Sequence, residues 1–173
     1  MRDRPAIACG PHHWTYGEFD AVVDWVAAGL QGHGVAKGDR VAVLARNSHA
    51  FAALRFALAR LGAVLVPINF MLTAEEVAFV LRHAGARMLA VDASLAELGR
   101  TAAALNTKVE RFIALPGENG PEPVLDGLSF ARLMNTTEPV PTGRRFELAT
   151  SRRSSTPVAP SHCPRGRCSP TKP

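Results

Sequence analysis

Three short segments limit what this chain can fold into. Arg40 to Ala45 (RVAVLA), Ala63 to Pro67 (AVLVP) and Met88 to Val91 (MLAV) are almost wholly apolar. They are too short for surface helices and do not alternate as a half-solvated strand would. Such segments read as strands covered on both faces, the condition found in parallel sheets flanked by helices. A fourth, Arg111 to Leu115, fits the same description.

The stretches between them carry helical spacing. Phe19, Val22, Val23, Val26 and Leu30 form one apolar face, opened by Thr15-x-x-Glu18 and stopped by Gly32 and Gly34. In a capping box of this kind each side chain satisfies an otherwise orphaned backbone N–H of the other's turn. Phe51, Leu54, Leu58 and Leu61 form a second face, with Asn47 or Ser48 as cap and Gly62 as stop. Thr73-x-x-Glu76 opens a third helix bearing Val77, Val80 and Leu81 and closed by Gly85. Ser94-x-x-Glu97 opens a fourth helix, to about Leu105. Ala6 to Cys9 reads as a hairpin or edge strand before a Gly-Pro turn, and Gly117 to Gly127 as a loop before a short helix over Ser129 to Met134. Strand and helix alternate with short connections, so the predicted class is α/β, a mainly parallel sheet flanked by helices.

Charge is unevenly placed. The net charge is +5, yet residues 1–148 hold fifteen basic and fifteen acidic residues. The whole excess lies in Arg152, Arg153, Arg165, Arg167 and Lys172. The basic balance is therefore a property of the tail, and no nucleic-acid partner is expected of the body. Residues 149–173 lack acids and hydrophobic period, which predicts a disordered basic tail joined to a folded unit over 1–148. One reading of that tail is a contact with an acidic partner through Arg152-Arg153 and Arg165-x-Arg167 on a small α/β binding module. The tail lacks aromatics for base stacking.

Three cysteines form no disulfide framework. The N-terminus shows no basic segment leading into an apolar one, and no apolar run approaches the roughly 20 residues that span a bilayer. A cytoplasmic location is expected.

No residue stands out as catalytic, cofactor-binding or metal-binding. Gly32-x-Gly34 follows a helix rather than a strand, so it is a helix stop and not a phosphate loop. Cys9, His12 and His13 are one ligand short of a structural zinc site, and a buried Cys beside turn histidines is the plainer reading. His162, Cys163 and Cys168 sit in a segment without ordering signals. His33, His49 and His83 read as surface or boundary residues. Asp39 and Asp92 flank strand ends, where turn chemistry and helix-start charge account for them.

The body resembles the N-terminal part of AMP-forming acyl-CoA synthetases (fatty-acid–CoA ligases), members of the adenylate-forming, AMP-binding superfamily. The resemblance rests on Thr15-Tyr16 with Glu18 and on Gly34-Val35 with Lys37-Gly38-Asp39-Arg40-Val41. It continues through Asn47-Ser48, Gly62-Ala63-Val64, Val66-Pro67-Ile68-Asn69 and Glu76. It covers Ala6 to Asp92 well and continues weakly to about Leu148. It implies a partial N-terminal subdomain of that fold. The intact family joins a carboxylic acid to ATP, giving an acyl-adenylate and pyrophosphate, and then transfers the acyl group to coenzyme A. ATP, Mg and coenzyme A serve the intact family; none is expected to be held by this chain. The family's chemistry depends on a phosphate loop of the kind Tyr-Thr-Ser-Gly-Thr-Thr-Gly-x-Pro-Lys-Gly, a Thr-Glu pair, a ribose-binding Asp and a Lys on a C-terminal domain. The likeness fades where that loop would begin, so the chain alone is expected to be inactive. Without the rest of such an enzyme it is also expected to expose apolar surface.

The tail reads differently in a shifted frame. If each true codon joins the third base of one codon to the first two of the next, the segment from Thr150 onward permits Asp-Leu-Ala-Gln-Ile-Leu-Tyr-Thr-Ser-Gly-Thr-Glu-Ser-Leu-Pro-Lys-Gly-Ala-Met-Leu-Thr-His. That string resembles the missing phosphate loop, with Glu-Ser in place of the commoner Thr-Gly. The tail is therefore expected to be a frameshift product.

Overall fold

The computed structural model describes residues 2–117 and 120–135. The Pro/Thr-rich stretch after Asn135 and the basic tail, with His162, Cys163 and Cys168, lie outside the described residues.

The chain opens with a hairpin, β1 (Pro5–Cys9) and β2 (His12–Thr15), paired antiparallel. Of the two readings of Ala6 to Cys9, this is the hairpin. Helix α1 (Tyr16–Gly32) follows, and Thr15 and Glu18 form the capping box in full: the Thr15 N–H donates to the Glu18 carboxylate at 2.8 Å. Then come β3 (Arg40–Leu44), α2 (His49–Leu61), β4 (Val64–Pro67), α3 (Ala74–Ala84), β5 (Met88–Asp92), α4 (Ala96–Ala104), β6 (Arg111–Leu115), β7 (Gly127–Ser129) and α5 (Phe130–Met134). Five strands form one parallel sheet in the order β4-β3-β5-β6-β7.

Two cores sandwich this sheet. On one face Val23, Val26 and Leu30 of α1, Leu54 and Leu58 of α2 and Leu133 of α5 pack against Val41, Val43 and Ile113. On the other, Val77 and Leu81 of α3 and Ala96 and Ala102 of α4 pack against Ala42, Leu44, Leu89 and Val91. The alternate residues of β3 and β5 thus feed opposite cores, which is why these strands are apolar throughout. The chain moves one way across the sheet with α2 on the first face. It returns the other way with α3 and α4 on the second, so the crossovers share one hand.

Three sequence expectations need correction. Ala63 to Pro67 is not a buried strand: β4 is the sheet's edge, half covered, and Val64 is 45% exposed. Ser94 does not cap the fourth helix, whose flanking residue Leu95 has no side-chain cap; the Ser94 hydroxyl turns to Asp92 instead. A short strand, β7, was not expected: it joins the end of the span read as loop, at Gly127, to the start of the span read as helix, at Ser129. With three residues and a leading glycine it is too short for any hydrophobic period to appear. Tyr16, Phe56, Phe70, Met71 and Phe79 are large apolar side chains left exposed.

Candidate functional site

In an open α/β sheet, ligands settle outside the carboxyl ends of the strands where successive connections depart to opposite faces. Here that point lies between β3 and β5. The chain leaving β3 enters α2 on one face, and the chain leaving β5 enters α4 on the other.

Asp92, the last residue of β5, anchors this edge. It is 4% exposed. One carboxylate oxygen accepts the Arg46 N–H at 2.7 Å from the loop after β3. The other accepts the Ser94 hydroxyl at 2.6 Å and the Leu95 N–H at 3.1 Å. The charged acceptor satisfies two backbone donors that the diverging loops would otherwise leave unpaired. The Arg46 side chain turns outward, its guanidinium 5.6 Å from the centre of the Phe70 ring in the loop after β4. Asn69 in that loop accepts the Met71 N–H at 3.0 Å. Three loops therefore meet at this edge.

On the α1–α2 side the edge is aromatic. Ser48 caps α2 by accepting the Phe51 N–H at 3.1 Å. His49 begins the helix and is 3% exposed, a buried residue where the sequence reads as surface or boundary. Its ring lies 3.8 Å from that of His12 of the hairpin, centre to centre, with Trp14 and Phe130 edge-on at 5.3 and 6.2 Å. Its Nδ1 has no hydrogen-bond partner among the described residues. Burial, and then the neighbouring His12, push the His49 pKa down to about 4, so the ring is neutral. It is the docking of the hairpin that buries it.

The remaining residues singled out from the sequence do not converge. Cys9 is half-buried and free, His13 is exposed, and His12 is drawn into the stack on His49. No group of three His, Cys, Asp or Glu side chains suited to a metal occurs among the described residues. Asp39 accepts the Ala36 N–H at 2.8 Å, the turn role expected of it. His33 follows α1 at the opposite, amino edge of the sheet, and His83 stacks on Phe79 along α3. The long-range bond from Asp92 to Arg46 had no sequence signal beyond an Asp at a strand end.

Chemically, this edge offers one outward guanidinium and a carboxylate already committed to three donors. It does not fit a nucleoside triphosphate. Among the described residues the glycines with left-handed backbone are Gly10 in the hairpin turn and Gly34, Gly38, Gly62 and Gly85, which end helices or turn at the amino edge of the sheet. None of these can cradle phosphates at the carboxyl edge.

Comparison with known proteins decides the lineage. The sequence matches the AMP-binding enzyme family over residues 1–157. The chain belongs to that family. Among curated AMP-binding relatives, it is 37% identical to a 3-hydroxybenzoate–CoA ligase from Aromatoleum sp. (strain CIB). That match runs over 98 residues, 57% of this chain and 19% of the relative. It is 45% identical to the long-chain-fatty-acid–CoA ligase FadD13 of Mycobacterium tuberculosis over 75 residues, 43% of this chain and 15% of the relative. The chain thus spans less than a fifth of each of these relatives. Among solved structures it is similar to the N-terminal domain of FACL13 from Mycobacterium tuberculosis. The TM-score is 0.64 at 28% identity, covering 81% of this chain and 35% of that one. This member of the AMP-binding enzyme family therefore has a doubly wound parallel sheet similar to that N-terminal domain. No helix among the described residues is long and apolar enough to cross a membrane.

Proposed function

We propose that this chain is the N-terminal portion, residues 1–148, of an AMP-forming acid–thiol ligase, and that it does not catalyse alone. The proposed parent reaction joins a carboxylic acid, of the fatty or aryl type, to ATP and then passes the acyl group to coenzyme A in the cytoplasm. ATP, Mg and coenzyme A belong to the complete enzyme. One observation carries the reading of inactivity: the 173 residues contain no glycine-rich phosphate loop, while the family match extends over most of them. Phosphoryl and adenylyl chemistry relies on preorganised donors at the phosphates, so a chain without them has no means of stabilising the transition state. The role left to this unit is architectural. Its sheet and the Asp92–Arg46 tie present three loop ends to the remainder of the enzyme.

Residues 149–173 are proposed to be an out-of-frame reading of the phosphate-loop segment. Support comes from the run of permitted codons that spells Tyr-Thr-Ser-Gly-Thr followed by Pro-Lys-Gly. The nucleotide sequence across codons 145–173 tests this. Third bases that complete those codons are expected; third bases incompatible with them remove the proposal.

A further inference from the structure

The hairpin of β1 and β2 is attached more loosely than the elements of the main sheet. It is a separate two-stranded sheet, and no residue of either strand is fully buried. Among the described residues, no hydrogen bond joins it to α2 or to the five-stranded sheet. The backbone bonds run instead from the start of α1 to the segment entering β1. The Tyr16 N–H donates to the Arg4 carbonyl and the Gly17 N–H to the Arg2 carbonyl, each at 2.9 Å. A lone two-stranded hairpin is marginal in water, so its order depends on what it docks against. It docks through rings: His12 lies 3.8 Å from His49, and Trp14 lies 5.3 Å from His49 and 6.2 Å from Phe19.

This contact does not tolerate a proton. An imidazolium carries N–H on both ring nitrogens, and His49 Nδ1 has no hydrogen-bond partner among the described residues. A charged His49 would therefore bury an unpaired donor as well as a charge. The groups around it do not compensate. From the hairpin, His12 faces it; Cys9 lies opposite His12 in the ladder, and His13 points to the other side and is exposed. From α5 it meets Phe130, while Arg132 is exposed and Glu122 accepts the Ala131 N–H. On α1, Asp20 and Asp24 are engaged by Arg60, and on α2 itself Arg55 is exposed. The charge that acts on His49 is that of His12, and it has the same sign.

We propose that the hairpin is an acid-operated latch: protonation at the His12–His49 stack frees β1 and β2 from α2 while the five-stranded sheet stays folded. Release hydrates both rings and separates them, so a proton binds the released state more tightly and shifts the equilibrium toward it. Burial, and then His12, hold the docked His49 at about 4 against an ordinary 6.5. Docking is thus fully supported above pH 6.5 and loses that support as pH falls toward 4. The opening is local because neither core over the main sheet counts a hairpin residue among its buried members. It uncovers Trp14, His49 and Phe130 together, an aromatic face closed at neutral pH. The inference is independent of the ligase reading, since it rests on the hairpin contacts alone.

The chain has two tryptophans, so Trp25→Phe leaves Trp14 as a reporter in the full 173-residue protein. Acrylamide accessibility is the quantity to read, because a protonated imidazole changes indole brightness by itself. Between pH 7 and pH 4 the quenching constant of Trp14 is expected to rise at least threefold and to return on neutralisation. Over the same range the amides of β3 and β5 should keep their hydrogen-exchange protection. His49→Phe should hold Trp14 closed throughout. His12→Phe removes the like charge but not the burial, so it should move the transition to lower pH without abolishing it. Trp14 exposure that coincides with loss of protection in β3 and β5 would overturn the latch, as global unfolding. An unchanged quenching constant, or a wild-type transition in either variant, would overturn it as well.

Discussion

The carboxylate of Asp92, at the end of β5, accepts the backbone N–H of Arg46, beyond the end of β3, at 2.7 Å. This bond ties together two loops that leave for opposite faces of the sheet. It belongs to a buried charge with two further donors, Ser94 and Leu95. Asp92→Ala is expected to cost about 2–4 kcal/mol, because it strands one buried and one part-buried N–H group as well as removing the charged acceptor. Asp92→Asn keeps one acceptor oxygen and turns an NH₂ toward the other donors, so a smaller loss of about 1–2 kcal/mol is expected. Urea unfolding of the three proteins measures the order; equal stability of wild type and Asp92→Ala would remove the tie from the account.

A second prediction concerns the contact of α1 with α5. A Cβ built on Gly29 would lie 2.6 Å from the Leu133 carbonyl oxygen and 2.8 Å from its Cα. The obstruction is backbone, which cannot rotate away. Gly29→Ala is therefore expected to destabilise by about 1–3 kcal/mol despite alanine's better helix propensity, whereas Gly32→Ala, with nothing near its Cβ, should be neutral or slightly stabilising. Thermal melts of the two variants separate close packing from propensity.

Burial of neutral His49 makes stability depend on pH. Its folded pKa is pushed down to about 4 from an ordinary 6.5, chiefly by burial and then by His12. The native state therefore binds fewer protons than the unfolded chain. The contribution is complete above pH 6.5 and is lost as pH falls from 6.5 toward 4, by on the order of 3 kcal/mol in all. His49→Phe keeps an aromatic ring against His12 and Trp14 and cannot titrate. It should flatten the stability profile between those limits, and a profile as steep as wild type would place the pH dependence elsewhere.

The helix starts supply a fourth prediction. Thr73 accepts the Glu76 N–H while Glu76 accepts the Thr73 N–H at 2.8 Å. Thr73→Ala removes the cap of α3 and should cost about 1 kcal/mol, within a range of about 0.5–2. Ser94→Ala, by contrast, should act only through Asp92, so its effect should vanish in an Asp92→Ala background; a double-mutant cycle checks this.

What the sequence made legible follows from local physics. The capping boxes at Thr15 and Thr73, the left-handed stops at Gly62 and Gly85, and strands β3, β5 and β6 depend on near neighbours and on burial of both faces. The same reasoning made β4 look central, because an apolar edge strand and a buried one have the same composition; only the sheet order exposes Val64. Strand β7 escaped because Gly127 packs against the Phe112 carbonyl, a close approach that requires glycine but leaves no periodic trace. His49 looked like a boundary residue at a helix start. It is buried by the hairpin 37 residues earlier, through His12 and Trp14, and a window around His49 contains no record of that docking. Asp92 was noticed at a strand end, but its partner Arg46 lies 46 residues away.

Carboxylate-dependent exchange of labelled pyrophosphate into ATP tests the central claim most directly. The measurement compares the 173-residue chain with a version translated in the shifted frame from codon 150 through the remainder of the gene. The account predicts no exchange above background for the 173-residue chain, with any fatty or aryl acid, and acid-dependent exchange for the frame-restored protein. Exchange catalysed by the 173-residue chain itself would contradict the account, since it would require phosphate-binding chemistry that its residues do not supply.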